Sequence, residues 1–245
     1  MGFVVMPNET LEDLQLGGLS ILQKKDAFRF GLDAVLLSNF VNAKRHHKVL
    51  DLGTGTGIIP ILLVGKTEAQ DITGLEIQPE IAAMAQRSID GNGLNNRVKI
   101  IRGDIKEAVA LLGAAVYDVV VSNPPYTRMG SGLVNPAESK AIARHELFCT
   151  LEDVLVSAAA LLKPQGDFYM VHRPDRLTDI MEGMRKARIE PKLLRLICPR
   201  AGEKPSLLLI RGLKNGNPGL AILPSLMIYD QKGQYTEEAS IQYNG

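Results

Sequence analysis

Lys48-Val49-Leu50-Asp51-Leu52-Gly53-Thr54-Gly55-Thr56-Gly57 is the stretch that decides the fold. Val49 to Leu52 reads as a short buried strand, and the glycines at alternate positions read as a tight loop. Ile58 to Val64 follows as an apolar helix. A strand, a glycine loop and a helix in succession form the first half of a βαβ unit.

Downstream the same alternation repeats. Asp71 to Ile77 is a second strand. Pro79 to Asp90 is a helix with proline at its start and Gly91-Asn92-Gly93 beyond its end. Val98 to Ile101 and Tyr117 to Ser122 are the third and fourth strands, and Thr150 to Lys163 is a helix with Thr150 and Asp153 as a capping pair. Phe168 to Val171, Leu193 to Cys198 and Leu207 to Arg211 complete the set. This pattern predicts a mostly parallel sheet covered on both faces. Upstream, Leu14 to Gln23 reads as a hairpin about Gly17-Gly18, and Gly31 to Val41 as a helix.

The chain has 245 residues, 45% of them hydrophobic and 22% charged, which fits one α/β domain with modest additions. The expected division is an N-terminal hairpin and helix over 1–46, a core over 47–214 and a C-terminal tail over 215–245. No run approaches the length of a membrane span, and the first residues lack the pattern of a secretory signal. Cys149 and Cys198 form no metal or redox spacing. The expectation is a cytoplasmic protein with no metal and no membrane partner; its oligomeric state is open. Net charge is +1, yet Arg173 to Lys214 holds 11 Lys and Arg against 5 Asp and Glu. That local excess suits phosphate contacts, with Arg173, Arg176, Arg185 and Lys186 as candidates, or simply solvated faces.

In parallel sheets of this kind ligands bind beyond the carboxyl ends of the strands. Asp51, Glu76, Asp104 and Asn123 stand at four successive strand ends. The loop spacing is neither that of dinucleotide-binding enzymes nor that of a phosphate-cradling loop. A sulfonium ligand carries no phosphate. It needs close backbone contact, which Gly53, Gly55 and Gly57 allow, and an acidic neighbour, which Asp51 supplies. Glu76 is placed to accept from two ribose hydroxyls. Asp104 is placed to accept from an adenine amine, with Ile77 and Ile105 flanking the ring.

Ser122-Asn123-Pro124-Pro125-Tyr126 is the most informative segment. Two prolines end the strand and stiffen the backbone. The Asn123 side chain and the Pro124 carbonyl are both acceptors and suit the two hydrogens of one exocyclic NH2. Tyr126 offers a flat face for a base.

Taken together, Asp51 to Gly57, Glu76, Gly103-Asp104 and Asn123 to Tyr126 resemble the amino-methylating branch of the class I S-adenosylmethionine-dependent methyltransferases. That resemblance implies a Rossmann-like, seven-stranded sheet with the last strand antiparallel, and S-adenosyl-L-methionine as cofactor. Leu14 to Ile21, Phe28 to Leu37, Arg144-His145-Glu146, His172-Arg173-Pro174 and the tail from Ile228 to Glu238 are similar to the bacterial valine-tRNA adenine-N6-methyltransferases. This implies a tRNA substrate, methylated on the adenine 3′ of the anticodon, and places Phe28, Arg29 and Asp33 beside the methionine end of the cofactor. Leu32 stands where that family pattern carries Thr or Ser. His145 is read as structural.

Guanine-N2 methylation of rRNA and glutamine-N5 methylation of protein use a similar tetrapeptide. The second is disfavoured because only about 45 residues precede the first core strand. A non-catalytic RNA-binding module would be expected to have lost Asp51, Glu76 or Asn123, and all three are present.

Overall fold

A computed structural model describes residues 2–25, 31–125 and 149–244. Strands β1 (Glu9–Asp13) and β2 (Ser20–Lys24) form an antiparallel hairpin. Then come α1 (Leu32–Phe40), β3 (Lys48–Leu52), α2 (Ile58–Lys66), β4 (Asp71–Glu76), α3 (Pro79–Gly91), β5 (Val98–Arg102), α4 (Ala108–Leu112) and β6 (Tyr117–Ser122). The chain continues with α5 (Leu151–Leu161), β7 (Leu162–His172), α6 (Leu177–Lys186), β8 (Ile189–Cys198), β9 (Leu207–Lys214), β10 (Ala221–Ile222), β11 (Leu226–Met227) and α7 (Glu237–Asn244).

Seven long strands lie in the order β8-β9-β7-β6-β3-β4-β5. Only β9 runs antiparallel to its neighbours, β7 and β8. The two-residue strands β10 and β11 pair parallel with β8, so the sheet has nine strands rather than seven. The order reverses between β3 and β6, which opens a crevice at the carboxyl edge there.

Alternation along the strands splits the core in two. Val49, Val119, Val121, Tyr169, Val171 and Leu209 face α1 and α2. Leu50, Leu52, Val120, Phe168, Met170 and Leu208 face α5 and α6. Each such buried side chain contributes roughly 1.5–3 kcal/mol. The Thr150–Asp153 capping box starts α5 as expected.

The structure corrects three local readings. The first hairpin strand is Glu9–Asp13, not the residues after Leu14. Leu14 to Leu19 form the connection, in which Gln15, Gly17 and Gly18 take positive φ and the Leu14 N–H bonds the Leu19 carbonyl at 2.9 Å. Leu14, Leu16 and Leu19, partly buried, pack on the core from that connection, so their apolar character marks a loop seated on the core. Strand β7 starts at Leu162, ahead of Phe168. Its early part, with a register irregularity opposite Tyr117 to Val119, is polar enough to read as loop. Helix α6 was not foreseen. Leu177, Ile180, Met181 and Met184 carry helical spacing, and the charges between them hid it.

Two ion pairs tie the hairpin to α3, an exposed one between Lys24 and Glu80 at 3.1 Å and a more buried one between Arg87 and Glu9. Arg87 Nη1 and Nη2 donate to the two Glu9 carboxylate oxygens at 2.7 and 2.6 Å, and Met6 N–H donates to Glu9 at 3.0 Å. The Arg87 guanidinium holds the nearly buried Glu9 carboxyl below its ordinary range. Arg87→Ala leaves that carboxylate stranded and should lower stability by about 3 kcal/mol, read from the urea midpoint. A loss under about 0.5 kcal/mol, the level of an exposed pair, would refute the buried role.

Candidate active site

Four strand ends converge on the crevice. In register, Asp51 of β3 lies opposite Gly74 of β4 and Val121 of β6. Neighbouring strands are about 4.8 Å apart, so groups at the ends of β4, β3 and β6 face one ligand-sized space. The loop after β3 is tied to β4 by Gly53 N–H and Thr54 N–H, both donating to the Leu75 carbonyl at 3.0 and 2.9 Å. Gly53, Gly55 and Gly57 have φ of 78°, 56° and 85°. These left-handed values favour glycine and make the loop turn tightly. At Gly57 a Cβ would also meet Ala85 Cβ at 3.3 Å, which lets α2 start hard against α3.

Asp51 is fully buried, and neither carboxylate oxygen has a hydrogen-bond partner. Burial pushes its carboxyl up to about 7; the neighbouring Glu76 charge adds to the rise. The Thr54 hydroxyl lies near enough to oppose that rise without reaching hydrogen-bond geometry. A buried carboxylate with no partner invites a cation.

Glu76 is also buried, but it is fully oriented. Its Oε2 accepts from Gly55 N–H at 3.0 Å and its Oε1 from Gln78 N–H at 2.8 Å. Each oxygen keeps a further lone pair, enough for two vicinal hydroxyls. Asp104 caps the following turn by accepting from Lys106 N–H at 2.9 Å. Ile105 lies over the glycine loop, where a Cβ on Gly53 would meet its Cδ1 at 3.9 Å. Ile77 is half-buried just past Glu76.

On the other side of β3, Ser122 Oγ donates to the Leu52 carbonyl at 3.0 Å and bolts the end of β6 to the end of β3. This fixes the root of Asn123. Asn123 Nδ2 then donates to Asp33 Oδ2 at 3.1 Å. Asp33 is itself pinned at the start of α1, its Oδ1 accepting from Ala34 N–H at 2.9 Å. With its NH2 turned to Asp33, Asn123 presents its amide oxygen as the acceptor. Pro124 is buried behind it.

Sequence reasoning selected Asp33 for the cofactor's methionine end; the structure shows it holding Asn123 across 90 positions of chain. No spacing in the sequence could show that contact. Nor could it single out Ser122, whose hydroxyl is one among several near strand ends. Phe28, Arg29, Tyr126 and His145 lie outside the described residues.

His172 closes β7, buried, with Nδ1 accepting from Arg173 N–H at 2.8 Å. Burial pushes its pKa down to about 4, and Arg176 adds to the fall. Arg173 and Arg176 therefore sit at the carboxyl edge, on the crevice side. Arg185 and Lys186 end α6, roughly 15 Å of helix away at the amino edge, where Arg185 pairs with Glu190 at 3.2 Å and Lys186 with Glu182 at 2.6 Å. The four candidates are two separate pairs. Two shallow cavities also lie on the amino edge, one of about 210 Å³ at Lys48, Asp71 and Tyr117 and one of about 270 Å³ at Arg185 and Arg188. Neither touches the strand-end carboxylates.

A sheet of this order, with a glycine loop after its central strand and a rigid Asn-Pro-Pro acceptor turn after the next, defines a protein of the Rossmann-like methyltransferase class. The model of the methyltransferase small domain matches residues 31–186, and the chain belongs to that family. The tRNA1(Val) (adenine(37)-N6)-methyltransferase of Porphyromonas gingivalis is 34% identical over 160 residues, covering 63% of this chain and 62% of that protein. The chain thus spans less than two thirds of that relative. The enzyme of the same name from Bacteroides thetaiotaomicron is 29% identical, covering 91% and 92%. A solved Agrobacterium tumefaciens structure, named a predicted O-methyltransferase, superposes with a TM-score of 0.71 at 23% identity, covering 86% of this chain and 95% of that one. Among the described residues no helix is long and apolar enough to cross a membrane, and no group of His, Cys, Asp and Glu is arranged to hold a metal ion.

Proposed function

We propose that the protein transfers a methyl group from S-adenosyl-L-methionine to N6 of an adenine in RNA, in particular the adenine 3′ of the anticodon of a valine tRNA. The observation that carries this reading is the Asn123 amide oxygen, fixed by Asp33 at the end of β6, beside a buried and unpartnered Asp51. The curated relatives named above act on that tRNA by name, and this supports the choice of substrate.

The residues fit the cofactor. Asp51 answers the positive charge of its methionine end, Glu76 its ribose hydroxyls, and Asp104 with Ile77 and Ile105 its adenine. When bound, the cofactor supplies an electrophilic methyl on a sulfonium. The chain supplies the acceptor side. An adenine amine is a poor nucleophile because its lone pair is delocalised into the ring. As the nitrogen becomes tetrahedral it gains positive charge, and the Asn123 and Pro124 carbonyl oxygens, held rigid, stabilise that charge more than the ground state. Their grip also orients the lone pair for in-line attack. A loop base is already partly unstacked, so reaching it costs less than flipping one from a duplex.

The deciding experiment incubates the protein with labelled cofactor and total tRNA lacking the modification, then identifies the nucleoside by mass spectrometry. N6-methyladenosine is expected; labelled N2-methylguanosine or no labelled nucleoside would refute the reading.

Arg173 and Arg176 line the crevice side of the proposed RNA path, and Arg185 and Lys186 continue it only if the RNA wraps α6. Charge reversal of Arg173 and Arg176 should weaken RNA binding by tenfold or more and flatten its salt dependence by about one unit of slope per lost phosphate contact. Reversal at Arg185 and Lys186 tests the wrapped path in the same assay. Unchanged affinity in both would remove these arginines and the lysine from the interface.

A further inference from the structure

Beyond β11 the chain leaves the carboxyl edge and forms a tight turn. Tyr229 N–H donates to the Pro199 carbonyl at 2.8 Å, which ties this turn to the connection between β8 and β9. Within the turn, Tyr229 and Tyr235 stack with ring centroids 5.3 Å apart and planes 21° from parallel. Tyr229 is half-buried against the core, while Tyr235 is 44% exposed. The Arg200 guanidinium lies 5.8 Å from the Tyr229 ring centroid.

The fold is closed here by groups besides this exposed ring. Thr236 does that work, its Oγ1 donating to the Met227 carbonyl at 2.6 Å and its N–H to Ile228 at 3.0 Å. Ala239 is buried and Glu238 pairs with Arg195. The turn itself is held by Asp230, whose carboxylate accepts from Lys232 and Gln234 N–H at 2.8 and 2.9 Å. Glu203 pairs with Arg200 at 3.2 Å, and Lys204, Lys232 and Glu237, neighbours of these residues in sequence, are exposed. Strand β11 is four places from β6, so this stack stands about 19 Å across the carboxyl edge from Asn123, with exposed Arg173 between.

We propose that the Tyr229–Tyr235 stack, flanked by Arg200, Lys204 and Lys232, is a docking platform for an unpaired nucleobase of the RNA loop whose adenine enters the crevice. The proposal rests on the RNA reading above and adds a second contact to it. Stacking accepts any base, and the cations take the adjoining phosphates. The platform thus sets loop affinity and the reach of the target adenine without touching the reacting atoms.

The chain has no tryptophan, so Tyr235→Trp introduces a single indole reporter on the platform. Titration of that full-length variant with an unmodified tRNA transcript should quench the indole saturably, at the midpoint found by filter retention. Tyr235→Ala should raise KM for the transcript about tenfold while kcat and S-adenosylhomocysteine affinity hold, and Tyr235→Phe should restore the wild-type value. Retained RNA with an unaltered indole and an unaltered KM would overturn the platform and leave the RNA reading standing. Loss of kcat and cofactor affinity in step with a lowered melting temperature would overturn it by making the stack structural. Failure of the wild type to retain any RNA would sink both.

Discussion

Replacing Asn123 with alanine should lower methyl transfer about 10²–10³-fold while S-adenosylhomocysteine binds as tightly as before. The Ser122 bond to Leu52 roots the side chain at the strand ends, and its amide NH2 is held by Asp33; in the proposed reading its oxygen serves the acceptor amine, not the cofactor. Its loss removes an oxygen that matters most when the amine nitrogen carries charge, so kcat falls and ground-state cofactor binding does not. Asp33 should show itself through Asn123. Asp33→Ala removes one hold on the amide and should lower kcat about tenfold or more. The double variant should be no worse than Asn123→Ala alone, because the two side chains act as one unit. Asn123→Ala with wild-type turnover would dismiss the acceptor role. Additive losses in the double variant would give Asp33 a separate task, and a parallel loss of cofactor affinity would return it to the methionine end where the sequence placed it.

That pair shows where a sequence can be read and where it stops. The strands were legible because a doubly covered parallel sheet demands runs such as Val119-Val120-Val121, and few other environments tolerate them. Asp51, Glu76 and Asn123 were legible because each stands at a strand end, where chain direction alone brings it to the crevice. Helix α6 was hidden because its apolar face is only four residues wide and charges fill the rest. The hairpin was misplaced because Leu14, Leu16 and Leu19 mimic strand alternation while anchoring a loop to the core. Arg185 and Lys186 joined Arg173 and Arg176 in a sequence count of charge, yet a helix separates the pairs by its own length. Contacts such as Asp33 to Asn123 and Arg87 to Glu9 depend on tertiary placement, which local pattern does not encode.

Asp51→Asn should make the unliganded protein more stable at neutral pH and a poorer binder. The folded carboxyl titrates at about 7 against an ordinary value of 3.8, so its contribution to stability is fully present below pH 3.8 and is lost as pH rises through about 7. The whole swing is of order 4 kcal/mol. Asparagine carries no charge to bury, so the variant should melt higher than wild type above pH 7. Ligand affinity should move the opposite way, falling about 10–100-fold with the loss of a charged partner for the methionine end, as calorimetry would show. His172 gives the experiment a second readout. It titrates at about 4 when folded against 6.5 unfolded, so its contribution falls away as pH drops from 6.5 toward 4. In the wild type these two slopes oppose each other across that window. Removing Asp51 should expose the His172 slope, a rise of about 3 kcal/mol between pH 4 and 6.5. A variant whose midpoint, pH profile and ligand affinity all match the wild type would mean that Asp51 is solvated, and that the crevice holds no buried charge for a cationic ligand to relieve.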